Sequence, residues 1–227
     1  MNEVATFEDA ASRPPALAAL EAEIAACRIC RDTPQGRALP HEPRPVVRAS
    51  ATARILVAGQ APGTRVHASG LPFTDASGDR LRDWMGVTAD QFYDRRLVAV
   101  AAMGFCFPGH DAHGGDLPPR RECAPAWRAR LMAAQPAIDL VLAVGRAAQV
   151  WHLGSDAAAT LSDTVADWRR ILARPGRVQV LPLPHPSWRN SGWLKRRPWF
   201  EAEVIPRLRE LVAERLPHAP ESTVLGN

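Results

Sequence analysis

The sequence predicts an α/β fold: a three-layer α/β/α sandwich with a central four-stranded, mainly parallel sheet. Three observations lead there. Four short apolar runs, at residues 54–58, 97–102, 139–144 and 178–183, are too short for helices and apolar almost throughout, the pattern of strands covered on both faces. Helix-forming stretches separate them, and that alternation implies parallel strands joined by helical crossovers. Loops rich in glycine, proline and polar residues follow the runs that end at Ala58, Ala102 and Leu183. In parallel sheets, ligands sit at the carboxyl ends of the strands.

Taken in order, residues 1–13 read as a disordered lead-in, residues 14–216 as one domain and residues 217–227 as a frayed tail. The spacing of Leu17, Leu20, Ile24 and Cys27 predicts a helix over 14–30, with Pro14 or Pro15 in its first turn. Residues 31–50 hold four prolines and no periodicity, which predicts a loop. The first strand, 54–58, breaks into Gly59-Gln60-Ala61-Pro62-Gly63. Pro72-Phe73-Thr74-Asp75 then leads to a short helix over 79–85, with Ser77 or Asp79 as its cap, and a second over 88–93 capped by Thr88. After the strand at 97–102 comes a long loop, 104–121, of a kind that is often functional. A helix over 122–134, the strand at 139–144, helices over 146–153 and 161–172, and the strand at 178–183 follow. The last helix spans 199–216, entered through Pro198 and kinked at Pro206.

Composition narrows the function classes. The chain has 227 residues, 46% hydrophobic, enough for a sizeable core. No apolar run is long enough to span a bilayer, and the polar, acidic start is unlike a signal peptide. A cytoplasmic location is the expectation. A net charge of +4 and a pI of about 9.3 permit a polyanionic partner. Lys195 is the only lysine, and Lys195-Arg196-Arg197 lies between Trp193 and Trp199, a combination that suits nucleic acid or, equally, packing of the last helix. There are four cysteines, and Cys27 and Cys30 form a C-x-x-C. Disulfides are not expected in the cytosol, which leaves metal ligation or free thiols. Around the first loop, backbone amides, the Phe73 ring and the Asp75 carboxylate suggest a site for a planar ligand. Phe73 as core and Asp75 as a turn cap are the plainer alternatives.

GQAPG at 59–63, PFTDASG at 72–78 and HPSWRN at 185–190 together resemble the motifs of the uracil-DNA glycosylase superfamily. The resemblance covers roughly residues 27–200. It implies a DNA repair glycosylase that flips a damaged base out of DNA and hydrolyses its N-glycosidic bond, acting as a monomer on DNA with no membrane partner. Cys27, Cys30, Cys106 and Cys123 match the layout of the iron–sulfur branches, families four and five, and so imply a structural 4Fe–4S cluster. Zinc would accept the same ligands.

The resemblance also implies roles for single residues. His185 would donate to the leaving base, while Asp75 and Gln60 would serve the catalytic centre, Gln60 standing where family four has a glutamate. The base would stack on Phe73 between Gly59 and Ala61. Ser187, Trp188, Arg189 and Asn190 would contact DNA, with Lys195, Arg196 and Arg197 as a further DNA surface. Two departures matter. The first motif holds no carboxylate, and the asparagine that would read uracil is replaced by Ala102, so uracil discrimination rests on backbone amides near Met103 and Gly104, or on another side chain, or is relaxed. No catalytic lysine is evident, so lyase activity is not expected. His110 and His113 read as solvated loop residues. The rival readings are a non-catalytic lesion-binding protein, favoured by both departures, and an iron–sulfur electron carrier, which would leave GQAPG and HPSWRN unexplained.

Overall fold

The computed structural model describes residues 11–217. Most of the expected lead-in (1–10) and of the expected tail (218–227) lies outside the described residues. Four strands form where the apolar runs are: β2 (Ile55–Ala58), β3 (Val98–Ala101), β4 (Leu140–Val144) and β5 (Gln179–Leu183). All but Gln179, at the start of β5, are fully buried. They pair in parallel, and a fifth strand joins them, giving the order β1-β3-β2-β4-β5.

That fifth strand corrects the expected four. β1 (Val47–Arg48) lies in the stretch expected to be loop and pairs antiparallel with β3, Val47 opposite Ala101 and Arg48 opposite Val100. Two residues preceded by Pro43 and Pro45 carry no periodicity. An edge position suits them, because an edge strand tolerates nearby proline.

The pleat sends alternate strand residues to two separate cores. Ile55, Val57, Val98 and Leu142 meet Leu81, Trp84, Phe92, Phe200 and Leu208 on one face. Leu56, Ala99 and Val141 meet Leu17, Leu20, Ile24, Phe105 and Leu131 on the other. Each valine, leucine, isoleucine or phenylalanine among them contributes about 1.5–3 kcal/mol on full burial, so the sheet is held from both sides.

The helices fit the pattern with several adjustments. The first, α1 (Pro15–Ala25), stops early, and Cys30 sits on a separate short turn, α2 (Ile29–Asp32), so the C-x-x-C straddles a break. A helix not foreseen, α3 (Thr64–Ser69), starts directly after Gly63. The next, α4 (Ala76–Met85), starts three residues early because Asp75, rather than Ser77 or Asp79, is its cap. Thr88 caps α5 (Ala89–Tyr93) as expected. After α6 (Cys123–Ala133) and α7 (Arg146–Leu153), the stretch expected as one helix divides at Asp167 into α8 (Leu161–Ala166) and α9 (Trp168–Leu172). A short α10 (Ser191–Lys195) precedes the last helix, which opens with a π turn at Phe200–Val204 before α11 (Ile205–Ala213). Pro206 has no N–H to give the preceding turn, and the Ile205 N–H bonds Phe200 O instead of continuing the α pattern.

Candidate functional site

The loops after β2, β3 and β5 converge at the carboxyl end of the sheet. They enclose a pocket of about 270 Å³ that opens into a wider groove of about 610 Å³. Gln60, Arg65, Asp75, Ser77, Asp116 and His185 border both. The topology explains the convergence: β2 and β5 flank β4, and β3 lies on the far side of β2.

The Phe73 loop forms one wall. Phe73 has φ 57°, a left-handed conformation rare for an aromatic residue. Strain of this kind persists where surrounding contacts over-determine it, and here they do. The Phe73 carbonyl accepts from Tyr93 Oη (2.9 Å) and Arg82 Nη1 (3.0 Å), while Pro72 O accepts a second contact from Tyr93 Oη (3.0 Å). The ring meets Phe92 edge-on at 5.9 Å. Gly78 presses against the same carbonyl so closely that no side chain fits there. Phe73 is thus both packed against the core and exposed to the pocket.

Asp75 follows on the same loop. Its Oδ1 accepts from Ser77 Oγ (2.6 Å) and the Gly78 N–H (3.2 Å), so the plainer alternative, a helix cap, is realised. The residue also borders the pocket. Both roles fall on one side chain.

His185 lies opposite, after β5. The Ser187 N–H donates to its Nδ1 (3.2 Å), so Nδ1 carries no proton and the neutral ring holds its hydrogen on Nε2. Burial lowers the His185 pKa below its ordinary value, against the opposing pull of Asp75 and Asp116, and the ring therefore stays neutral at physiological pH. Its backbone is also fixed. Asn190 Nδ2 donates to His185 O (2.7 Å), and Arg80 Nη1 donates to Pro186 O and Ser187 O (3.2 Å each). A neutral ring in a rigid loop presents one aimed donor.

The floor is set by the first motif and the end of β3. Gln60 packs its side chain over Gly145, which has φ +86° and no Cβ to obstruct it. Ala102 and Val46 also line the pocket. The expectation that Met103 and Gly104 offer their amides to a ligand is corrected: the Met103 N–H bonds Gly59 O (2.9 Å) and the Gly104 N–H bonds Gln60 O (2.9 Å). Those donors are consumed in tying the two loops together. Beneath them the buried Arg128 donates to Ala101 O (2.8 Å), Ala102 O (3.1 Å) and His152 Nε2 (2.7 Å). Burial, reinforced by Arg128, lowers the His152 pKa to about 2, which suits an acceptor for a guanidinium.

The DNA-facing candidates separate into two groups. Ser187, Trp188, Arg189 and Asn190 line the groove. Trp188 is 73% exposed, with Arg189 over its ring. Lys195 instead borders a different depression with Arg80, Asp83 and Glu201, and Arg197 lies over Trp193. Trp193 and Trp199 pack edge-on against Phe200, and Trp193 Nε1 bonds Ser162 Oγ. Packing of the last helix therefore accounts for both tryptophans.

The four cysteines come together far from one another in sequence. Cys27, Cys30, Cys106 and Cys123 line one enclosed space with Phe105 and Trp127. The Trp127 Nε1–H donates to Cys27 Sγ and the Phe105 N–H to Cys123 Sγ, both at 3.3 Å. Burial pushes the Cys106 and Cys123 thiols up to about 12. Among the described residues no three His, Cys, Asp or Glu side chains are grouped to hold a single metal ion.

Arg65 and Asp116 were not anticipated at the site. Asp116 sits in the long loop already marked as functional, among glycines that give no spacing signal, and Arg65 lies on the unforeseen α3. A family model described as the uracil DNA glycosylase superfamily matches residues 47–209.

Proposed function

Because the chain belongs to the uracil DNA glycosylase superfamily, we propose that it is a monofunctional DNA glycosylase. It hydrolyses the N-glycosidic bond of uracil or a related deaminated base, acts as a monomer, and leaves an abasic site. The observation that carries this reading is the neutral His185, held by the Ser187 N–H so that Nε2–H is its only donor, on the pocket that Phe73 and Asp75 also border. DNA supplies the base by flipping it out of the stack. The base lies against Phe73, and its glycosidic bond breaks with the electron pair leaving on the base. A fixed donor aimed at that developing charge is worth roughly 3 kcal/mol in the transition state. With Ala102 apolar, Gln60 is one of the polar side chains lining the pocket that could read the base edge. Trp188, exposed at the groove, fits the space that the flipped base leaves in the duplex.

One observation favours the rival reading of a non-catalytic lesion-binding protein: Asp75 Oδ1 is already committed to its cap. Oligonucleotides containing uracil, hypoxanthine or a stable abasic site separate the two. A glycosylase gives alkali-labile strand cleavage at the modified base; a binder gives only a band shift.

Four cysteines around one space, two of them receiving N–H bonds, fit a structural 4Fe–4S cluster. The support is that all four cysteines line one space, as ligation of a cluster by four thiolates requires. Thiols whose pKa burial has raised are protonated when free, and iron ligation supplies the compensation for burying them as thiolates. The cluster would tie α1, α2 and α6 to the loop after β3. Protein purified without oxygen should contain iron and acid-labile sulfide in equal amounts. Stoichiometric zinc, or no metal, would contradict the assignment.

Salt dependence locates the DNA surface. Each phosphate contact lowers affinity by about 0.9 log units per log unit of salt. Arg189→Ala should reduce the slope by about one unit, because Arg189 is exposed on the groove, whereas Arg197→Ala should leave it unchanged, because Arg197 is half-buried over Trp193 and does not line the groove. The opposite ranking would move the DNA surface to the Lys195 side.

A further inference from the structure

We propose that Asp116 is the carboxylate that faces the sugar in this site, holding the attacking water and stabilising the positive charge that develops at the anomeric carbon, with His110 as its positioning residue. The inference deepens the glycosylase reading and rests on it. Of the residues bordering both pocket and groove, only Asp75 and Asp116 are acids. Asp75 Oδ1 is held by Ser77 and Gly78. Asp116 is held differently. Its Oδ1 meets His110 Nδ1 at 3.2 Å, and His110 Nε2 meets Thr64 Oγ1 at 3.1 Å. His110 Nδ1 faces the carboxylate and His110 Nε2 faces the Thr64 hydroxyl, so the three groups stand in a row that positions Asp116.

The second oxygen, Oδ2, has no hydrogen bond among the described residues. It lies 3.5 Å from the position a Cβ on Gly63 would take, against the first motif. That is an ordinary contact distance, so the carboxylate lies directly beside the loop that borders the pocket. His110 and Asp116 also form the β-bridge that closes the tip of the long loop, which sets the distance of Asp116 from α3. Asp75 and, after it, Asp116 both pull against the burial that lowers the His185 pKa, so both acids and the donor share one electrostatic field.

The chemistry balances. The glycosidic bond breaks, its electron pair leaving on the base, which the His185 N–H steadies. Water oxygen forms the new bond to the anomeric carbon. Its proton passes to Asp116 and on to solvent, and solvent returns a proton to the released base. Asp116 brings to the pocket and groove a carboxylate oxygen with no hydrogen bond among the described residues, whereas Asp75 Oδ1 is tied down at the head of α4.

The test does not need the identity of the base. Oligonucleotides carrying a pyrrolidine abasic analogue, charged at neutral pH, are compared with the neutral tetrahydrofuran analogue, for wild type, Asp116→Asn, Asp75→Asn and His110→Gln. Wild type should favour the charged analogue by about tenfold or more. Asp116→Asn should abolish most of that preference while its affinity for tetrahydrofuran and its melting curve stay close to wild type. His110→Gln should lose part of it, and Asp75→Asn should keep most. A preference that survives in Asp116→Asn, or is lost only in Asp75→Asn, overturns the assignment. So does a parallel loss of affinity for both analogues in Asp116→Asn, which would mark a structural role. Wild-type protein that binds neither oligonucleotide overturns the glycosylase reading itself.

Discussion

His185→Ala should slow base release by about 100- to 1,000-fold in single turnover while DNA affinity changes little. The donor is needed mainly as the base departs with a negative charge, so its loss falls on the transition state rather than on binding. The geometry supports the separation. The His185 ring is held by the Ser187 N–H, and the loop is held independently by Asn190 and Arg80 through backbone carbonyls. Removing the ring leaves those carbonyl contacts in place, so the groove should keep its shape. His185→Gln, which can offer an N–H from a similar position, should recover part of the rate. Equal losses of affinity and rate in His185→Ala would show instead that the ring builds the pocket.

Gly78→Ala should cost about 3 kcal/mol or more of stability, lowering Tm by about 6–12 °C. An added methyl group would sit 2.5 Å from the Phe73 carbonyl carbon and closer still to its oxygen. Neither side can yield cheaply. The carbonyl is fixed by Tyr93 and Arg82, and Gly78 N–H is the donor that Asp75 caps. The same clash would push Phe73 out of its left-handed conformation and disturb the pocket wall. Differential scanning calorimetry with a cleavage assay checks both consequences. A variant as stable and as active as wild type would show that the approach of α4 to the Phe73 loop is looser than described.

Most of the fold was legible because its signals are local. Each of the four apolar runs was found within two residues of its observed ends, since a doubly covered strand has no other way to be written. β1 was not legible: two residues between prolines and a turn have no pattern, and only pairing with Ala101 and Val100 makes them a strand. The site was legible where a motif carries it. His185, Asp75, Gln60 and Phe73 all border one pocket. It was illegible where tertiary bonds decide. The amides of Met103 and Gly104 looked free because nothing in AAMGFC says that Gly59 and Gln60 take them. For Trp193 the sequence leaves DNA contact and packing equally open, and only the contacts with Ser162 and Phe200 decide for packing. Asp116 carries no motif; it reaches the pocket only because the long loop folds back through His110 and Thr64.

The central claim is that this pocket breaks a glycosidic bond, and the direct measurement is release of free base. Excess protein is incubated with a uracil-containing oligonucleotide, single- and double-stranded, and both products are quantified by mass spectrometry. The account predicts one free uracil for each abasic strand, in wild type and at a rate at least about 100-fold lower in His185→Ala. Tight binding of the modified strands with no base released from uracil or hypoxanthine, by protein containing its full metal content, would contradict it.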